Sequence, residues 1–256
     1  MKERLSGKAL IVIGSGTGIG AATARRLAAE GARLCLADIN LAAATAVAEQ
    51  IAGEGGEAFA TFIDLADEAS ITRAVETAAQ CFGGLDGAHV NAADMRTIMH
   101  DSDVLAEELA VFDRTLTVNL RGHLLCTRAV LPHLLARGGG AIVYTSSAAA
   151  DMGDPLRPAY AASKGGLNAL MRHVASKWGR DGVTANCVAP GYVITPEMTE
   201  SGAMKSELLS QMGSQTPSPR LGDPADIAAM VAMLLSDDGR WMNGQVYHVN
   251  GGALMR

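Results

Sequence analysis

The chain has 256 residues, of which 48% are hydrophobic and 19% are charged, and its mean hydropathy is +0.16. This composition can form a large core and excludes a disordered or collagen-like polymer. The net charge of −6, without any run of five or six like charges, argues against nucleic acid and anionic membrane surfaces as partners. Because α/β folds often reach about 250 residues as one unit, we predict a single domain over residues 1–256.

Seven short apolar runs alternate with six longer amphipathic segments, which predicts strands separated by helices. Because the strands are almost continuously apolar, both sheet faces should be covered, as in a parallel sheet with right-handed helical crossovers. The sequence therefore predicts a doubly wound α/β fold. The predicted strands are Ala9–Ile13, Arg33–Ala37, Ala58–Ile63, Gly87–Val90, Ala141–Thr145, Thr184–Val188 and Gln245–Val249, and the predicted helices are Ile19–Glu30, Leu41–Ala52, Glu68–Phe82, Leu105–Leu135 with a break, Tyr160–Trp178 and Ala225–Leu235.

The segment from Pro190 to Pro224 fits neither a strand nor a simple helix, and it contains Met198, Met204 and Met212. A long irregular segment in a compact domain is more often a binding lid than a connector. We therefore predict a substrate lid at about residues 190–224.

The cysteines and the apolar runs bear on the compartment. Cys35, Cys81, Cys126 and Cys187 form no C-x-x-C pair, which favours reduced thiols over disulfides or a zinc site. The first apolar run is too short for a signal peptide, and no stretch of about 18 uncharged apolar residues occurs. We expect a cytoplasmic protein with no metal and no membrane span.

A glycine-rich turn, Gly14-Ser15-Gly16-Thr17-Gly18-Ile19-Gly20, follows the first predicted strand and opens the first predicted helix. Glycines let the backbone approach a pyrophosphate closely, and the start of the helix supplies N–H groups and the positive end of its dipole. Between a strand and a helix, this pattern favours nucleotide binding over an ordinary turn.

Asp38 ends the second predicted strand, 20 residues after Gly18, where a carboxylate can accept both hydroxyl hydrogen bonds of an adenosine ribose. The same charge repels a 2′-phosphate, and neither the glycine turn nor Ile39 supplies a Lys or Arg to neutralise that phosphate. We therefore predict NAD in preference to NADP. The alternative is that Asp38 is a solvated strand-end residue or a helix cap.

Tyr160 and Lys164 lie four residues apart at the start of a predicted helix, and hence on one face. A nearby cation can lower the tyrosine pKa, ordinarily about 10, by about one to three pH units. The pair alone is a short motif, but Ser147 follows the predicted strand Ala141–Thr145. Because ligands of open α/β sheets bind at the carboxyl ends of strands, this set and the glycine turn should converge.

These motifs together resemble the short-chain dehydrogenase/reductase family, in its short single-domain branch, over nearly the whole chain. Gly14, Gly18 and Gly20 match T-G-x-x-x-G-x-G, Asp64-Leu65 matches the adenine-contacting Asp, Asn91-Ala92-Ala93-Asp94 falls at N-N-A-G, Asn119 matches the catalytic asparagine, Ser147 and Tyr160-x-x-x-Lys164 match the active-site serine and Y-x-x-x-K, Pro190-Gly191 with Thr195 matches P-G-x-x-x-T, and Val249-Asn250-Gly251-Gly252 resembles the usual ending.

The resemblance implies a Rossmann-type fold and an NAD-dependent oxidoreductase that interconverts a secondary alcohol and a ketone. It makes Tyr160 the general acid/base, has Lys164 lower the phenol pKa and bind the ribose, and has Ser147 bind the substrate oxygen. It has Asn119 hold a proton-relaying water. It also implies a homotetramer or homodimer built on the helices Val111–Leu135 and Tyr160–Trp178. The implied cofactor-binding residues are Gly14, Ser15, Gly18, Ile19, Gly20, Asp38, Ile39, Asp64, Leu65, Asn91, Ala92, Ala93, Tyr160, Lys164, Pro190, Gly191, Val193 and Thr195.

The sequence departs from the family pattern at two adjoining segments. Ile13 replaces a threonine before the first glycine, and Ala92 and Asp94 replace the second Asn and the Gly of N-N-A-G. The resemblance implies that these segments touch, so the two changes form one swap of polar for apolar contacts that alters binding on the adenine side. If position 94 requires a positive φ, Asp is among the residues that tolerate it.

The substrate and two alternative functions stay open. Met95, Met152, Tyr192 and Met198 either form an apolar pocket or fill lid packing, and Arg96 and Arg157 either clamp an anion or are solvated. A catalytically silent NAD-binding regulator or scaffold is one alternative, and the complete set of catalytic residues argues against it. An enoyl reductase or epimerase is another. The three-residue gap between Tyr160 and Lys164 disfavours the reductase, and the short chain disfavours the epimerase.

Overall fold

A seven-stranded parallel sheet in the order β3-β2-β1-β4-β5-β6-β7 forms the centre of the structure, a computed structural model that describes residues 3–200 and 206–255. Helices cover both faces of this sheet, so the doubly wound, Rossmann-type α/β prediction is confirmed. The strands are β1 (Ala9–Ile13), β2 (Arg33–Asp38), β3 (Glu57–Phe62), β4 (Gly87–Val90), β5 (Gly140–Thr145), β6 (Val183–Pro190) and β7 (Val246–Val249). The α-helices are α1 (Gly18–Ala29), α2 (Leu41–Gly53), α3 (Glu68–Phe82), α4 (Leu109–Leu116), α5 (Gly122–Ala136), α6 (Pro158–Trp178), α7 (Pro196–Glu200), α8 (Ser206–Ser214) and α9 (Pro224–Leu235).

Every residue of β1 is buried because the two sheet faces belong to two separate apolar cores. Ile11 and Ile13 pack into the core beneath α3, α5 and α6, whereas Leu10 and Val12 pack into the core beneath α1, α2 and α9. Alternate residues of a strand point to opposite faces, so a strand covered on both sides must be apolar throughout. This explains why the strands were visible in the sequence as unbroken apolar runs.

The predicted break in the long helix is confirmed, but its form was not predicted. The helical segment begins at Leu109 rather than Leu105, and a π-helical turn over Thr117–Arg121 separates α4 from α5. A π-turn inserts one extra residue into a helix and is frequent at functional sites. Here it holds Asn119.

The prediction for Pro190–Pro224 requires a correction. The segment is not irregular throughout, because it contains α7 and α8, and a parallel bridge joins Val193 to Gly222 at its base. Its prolines hid the short helical pieces from a periodicity argument. Met204 lies outside the described residues.

The site region lies where the strand order reverses. β1 pairs with β2 on one side and β4 on the other, so their carboxyl ends flank the crevice of a doubly wound sheet. The turn after β1 is close-packed there: a Cβ on Gly20 would lie 1.8 Å from the carbonyl oxygen of Gly14. Only glycine fits at position 20.

Cys35, Cys126 and Cys187 are buried in these cores while Cys81 is exposed, and all four are free thiols. Within the residues that the structure describes, none of the helices is long and apolar enough to cross a membrane.

Because β1 packs between two cores, truncating one of its side chains should lower the stability of the fold considerably. Ile11 is fully buried, so Ile11→Ala should lower the free energy of unfolding by about 2–5 kcal/mol. Val104 is 80% exposed, and Val104→Ala should change it by less than about 0.5 kcal/mol. Denaturant titration of both variants measures the difference, and equal effects would contradict the packing described here.

Candidate functional site

A cavity of about 1390 Å³ opens at the carboxyl ends of the strands and contains most of the predicted site residues. The glycine turn lines it, and so do Ser147 and Tyr160. The predicted residues that line it are Gly14, Gly18, Ile19, Asp38, Ile39, Asp64, Leu65, Asn91, Ala92, Ala93, Ser147, Tyr160, Lys164, Pro190, Gly191, Val193 and Thr195.

Three predicted site residues are not on the cavity wall. Ser15 is buried with its hydroxyl 3.3 Å from the carbonyl oxygen of Ala37, and Gly20 packs against Gly14. Asn119 is fully buried. Gly20 and Asn119 contact Gly14 and Asp94, which do line the cavity.

The glycine turn has the geometry of an anion cradle. Gly18 has φ +51°, and a Cβ there would lie 3.2 Å from the Thr195 side chain, so the turn stays open only with glycine at this position. The N–H of Gly18 donates to a carboxylate oxygen of Glu197 at 3.2 Å. A negatively charged group therefore already lies at the start of α1, where helix N–H groups and the dipole favour an anion.

Asp38 lies at the end of β2 and lines the cavity. Its carboxylate accepts the N–H groups of Gly16 and Asn40, both at 2.8 Å. The cap of α2 is Asn40, whose side chain accepts the N–H of Ala43, so the interpretation of Asp38 as the helix cap is wrong. Asp38 instead fixes the glycine turn to the second strand.

Ser147, Tyr160 and Lys164 come from two neighbouring elements. Ser147 follows β5, and the other two lie on the first two turns of α6, which packs beside it. The Ser147 side chain is near enough to the phenol to lower its pKa. Lys164 is 1% exposed, and its ammonium donates to the carbonyl oxygen of Thr145 at 2.7 Å and lies 5.7 Å from the centre of the Tyr160 ring.

The pKa of Tyr160 shifts in the direction opposite to the prediction. Removal from water raises the pKa of Tyr160 above its ordinary value, and the hydrogen bond with Ser147 and the charge of Arg157 offset this only in part. Burial lowers the pKa of Lys164 to about 8. The expected lowering of the Tyr160 pKa by Lys164 is not found, because burial of the phenol is the largest effect on it.

Asn119 is held in place by a backbone contact. Its Oδ1 accepts the N–H of Asp94 at 2.8 Å, and among the described residues its buried Nδ2 has no hydrogen-bond partner. A buried donor of this kind is usually satisfied by an ordered water. The amide is thus suited to hold a water, but its catalytic role remains a prediction.

Asp94 forms a buried ion cluster that the sequence did not reveal. Its side chain is 4% exposed, and it accepts from Arg96 Nε at 3.1 Å and from Arg114 Nε at 2.9 Å. Burial alone would raise the pKa of Asp94, but hydrogen bonds from these two guanidinium groups outweigh it and lower the pKa. Arg114 lies on α4, 20 residues after Asp94 in the sequence, so their spacing does not indicate that the two side chains are in contact.

The departures from the family pattern have a physical basis. Gly14 approaches Ala92 so closely that a Cβ on Gly14 would lie 2.6 Å from the Ala92 Cα, and Asn91 and Ala92 both donate backbone N–H groups to the Ile13 carbonyl. The predicted contact between the two segments is confirmed. Among the described non-glycine residues only Arg157 has a positive φ, so tolerance of positive φ does not explain Asp94.

The candidate substrate-contacting residues also lie on the cavity wall. Met95, Met152, Tyr192 and Met198 line it together with the two arginines. Each guanidinium is already paired, Arg96 with Asp94 and Arg157 with Asp154. The methionines make this part of the wall apolar and both arginines are already paired, which suits an uncharged substrate better than an anion clamped by free arginines.

The chain is similar in sequence to several known proteins. A family model described as "Enoyl-(Acyl carrier protein) reductase" matches residues 13–253. A probable short-chain type dehydrogenase/reductase of Bradyrhizobium diazoefficiens is 42% identical over 98% of this chain and 89% of its own length. Cyclohexanol dehydrogenase of an Acinetobacter species is 35% identical over 98% of this chain and 96% of its own length.

Solved structures agree with the fold. The structure of 7α-hydroxysteroid dehydrogenase complexed with NADH and 7-oxo glycochenodeoxycholic acid is similar, with a TM-score of 0.91 and 30% sequence identity. The similarity covers 100% of this chain and 97% of that one.

The Asp94 cluster predicts a pH-dependent stability. Asp94→Asn should destabilise the fold at neutral pH by about 1–3 kcal/mol, because it leaves the guanidinium groups without their buried partner. A carboxyl with a lowered pKa stabilises the fold above its unfolded value of about 3.9, and this contribution is lost as pH falls through the lower folded value. The gap between wild type and variant should therefore shrink below about pH 4.

Urea unfolding at several pH values measures this gap. Arg114→Gln should cost more than Arg96→Gln, because the Arg96 side chain is 78% exposed and that of Arg114 only 37%. A gap that stays constant down to pH 3 would contradict the ion cluster.

Proposed function

Since this chain belongs to the short-chain dehydrogenase/reductase family and is an oxidoreductase of that family, we propose that it interconverts a secondary alcohol and a ketone with NAD(H). The observation that carries the proposal is the position of Ser147, Tyr160 and Lys164 on the wall of the cavity that begins at the glycine turn. The family binds a nicotinamide cofactor, which supplies or accepts the hydride.

The residues of this chain fit such a dinucleotide. Gly18 and Ile19 at the start of α1 would bind the pyrophosphate, and Asp38 would accept from the adenosine ribose hydroxyls. Lys164 would hold the nicotinamide ribose, and Thr195 the nicotinamide end. Asp64 and Leu65 would contact the adenine, and they line the cavity together with the segment Asn91–Ala93.

Tyr160 is proposed as the general acid and base. In ketone reduction its hydroxyl donates a proton to the carbonyl oxygen, and in alcohol oxidation the phenolate takes that proton back. The raised pKa of Tyr160 keeps the phenol protonated at neutral pH, which supports its role as an acid. Ser147 would donate a hydrogen bond to the oxygen that gains negative charge.

NAD is proposed over NADP because of the charge near the adenosine end. The Asp38 carboxylate lines the cavity and is fixed by two backbone N–H groups, so it cannot easily turn away from a 2′-phosphate. The segment 190–224 is proposed as the substrate lid, since Tyr192, Met198 and Met212 line the cavity. Assembly into homodimers or homotetramers remains a prediction.

One alternative reaction is reduction of a carbon–carbon double bond, which the description of the matching family model suggests. In ketone reduction the proton goes to oxygen, and two hydroxyl groups on the cavity wall, those of Ser147 and Tyr160, would both donate to that oxygen. This pair of donors favours the carbonyl reaction. The comparisons give no support to a catalytically silent protein.

A substrate panel tests the proposal. The panel contains cyclohexanol, 7-oxo glycochenodeoxycholic acid, other secondary alcohols and ketones, and crotonyl-CoA, each assayed by NAD(P)H absorbance with both cofactors. We expect turnover of an alcohol or ketone. Turnover of crotonyl-CoA alone would assign the alternative reaction.

Removing the Tyr160 hydroxyl should stop this turnover. Tyr160→Phe should lower kcat by about a hundred- to ten-thousandfold, the usual contribution of general acid–base catalysis, while NADH binding measured by fluorescence stays nearly unchanged. Tyr247→Phe removes the same atom from a tyrosine outside the cavity lining and should retain wild-type kcat. Retained turnover in Tyr160→Phe would refute the mechanism.

Replacing Asp38 should narrow the preference for NAD. Asp38→Ala removes the charge and the turn contact, whereas Asp38→Asn removes the charge but keeps an oxygen for the Gly16 N–H. We expect both variants to reduce the ratio of kcat/KM for NAD to that for NADP by about tenfold, equivalent to about 1.4 kcal/mol. Asp113→Ala, at an exposed aspartate, is the control, and an unchanged ratio in both Asp38 variants would remove Asp38 from cofactor selection.

A further inference from the structure

The start of α6, the helix that carries Tyr160, is bound by a carboxylate from a distant part of the chain. Asp101, in the loop between β4 and α4, accepts the N–H of Ala159 at 3.2 Å and the N–H of Tyr160 at 2.7 Å. Asp101 is 5% exposed. A buried carboxylate therefore contacts the backbone of the proposed general acid itself.

The first turn of this helix needs such a partner. The first N–H groups of a helix lack partners within it, and the residue before α6, Arg157, makes no side-chain cap. Pro158 has no N–H, and Ala161 already donates to the Arg157 carbonyl. The donors left over are those of Ala159 and Tyr160, and Asp101 accepts both.

A second contact ties the same loop to the same helix. The N–H of Arg157, which has φ +65°, donates to the carbonyl of Ser102 at 2.9 Å. The N–H of Ser102 in turn donates to Glu107 at 2.7 Å. A positive φ at an arginine that precedes a proline is costly, so the surrounding contacts must hold it.

The loop that supplies Asp101 also forms part of the cavity wall. Met95, Arg96 and Ile98 line the cavity, and the loop is stiffened where Thr97 accepts from Thr115 and donates to the Asp94 carbonyl. The N–H of Asp101 donates to the carbonyl of Thr97 at 3.0 Å. The wall facing the substrate and the backbone of Tyr160 are thereby joined through one side chain.

We propose that Asp101 is a positioning residue. It fixes the distance between the Tyr160 hydroxyl and a substrate held against the part of the cavity wall that Met95, Arg96 and Ile98 form. This inference rests on the proposed function. Proton transfer requires heavy atoms within hydrogen-bond reach, and a displacement of about 1 Å can cost about a hundredfold in rate. Asp101 acts through the backbone and touches neither substrate nor cofactor.

Three variants separate this role from general stabilisation. Asp101→Ala removes both acceptors, and Asp101→Asn keeps one oxygen but presents an amide NH2 to the other N–H. Asp103→Asn is the matched control, since Asp103 is exposed in the same loop and, within the described part of the chain, its side chain accepts only the N–H groups of Leu105 and Ala106. If Asp101→Ala does not fold, the comparison of Asp101→Asn with Asp103→Asn decides the question.

Single-turnover kinetics give the decisive readout. Each variant is loaded with NADH and mixed with excess cyclohexanone, or with the panel ketone that wild type reduces fastest. The amplitude reports the fraction of competent sites, and the rate constant reports chemistry at each site. We expect Asp101→Ala to keep its amplitude and NADH affinity while the rate constant falls by about ten- to a hundredfold, with Asp101→Asn between it and wild type.

The opposite pattern would overturn the inference. A reduced amplitude with an unchanged rate constant means that Asp101 only stabilises the fold, and rate constants equal to those of Asp103→Asn mean that it does not position Tyr160.

Backbone hydrogen exchange tests the same contact without turnover. In Asp101→Ala the amides of Ala159 and Tyr160 should exchange at least about tenfold faster, while the later turns of α6 keep their protection. Unchanged exchange at these two amides would refute the inference. If the wild-type chain reduces no ketone, the proposed function fails, and the exchange result decides whether Asp101 holds the start of α6.

Discussion

The buried ammonium of Lys164 is the constraint on which the site depends. The residue is 1% exposed, and its ammonium donates one hydrogen bond to the Thr145 carbonyl at the end of β5. A buried cation is costly unless hydrogen bonds and negative charge compensate it, and burial lowers its pKa to about 8. The two remaining donors of the ammonium are available to the cavity, where ribose hydroxyls or a phenolate would stabilise the charge. Burial thus makes this lysine a partner for a ligand rather than a surface charge.

The sheet topology explains why such a group meets a dinucleotide site. Parallel strands end at one edge, and the reversal of order at β1 opens a crevice between the turn after β1 and the segment after β4. Lys164 and Tyr160 reach the same edge because α6 follows β5 and packs against β6. Their separation in sequence from the glycine turn is therefore unrelated to their separation in space. The arrangement needs rigid support, and Asp101 supplies it at the start of α6.

Much of this architecture could be predicted from the sequence, for physical reasons that differ between elements. β1 was recognised because burial on both faces requires apolar residues throughout, and the glycine turn because Gly20 tolerates no side chain. The ion cluster of Asp94 and the contacts of Asp101 could not be found in this way. They join residues 20 and about 58 positions apart, and no local periodicity records such pairings. The predicted direction of the Tyr160 pKa shift was wrong. The sequence shows that Lys164 is near, but it does not show how far burial removes the phenol from water.

A structure of the chain with NADH and a ketone that it reduces tests the central claim most directly. We expect the ketone oxygen to lie about 2.5–3.2 Å from both the Tyr160 and Ser147 hydroxyl oxygens, with the Lys164 ammonium within the same distance of a ribose hydroxyl. We also expect the adenosine ribose at Asp38. A ketone bound away from Tyr160, or a nucleotide outside the glycine turn, would contradict it.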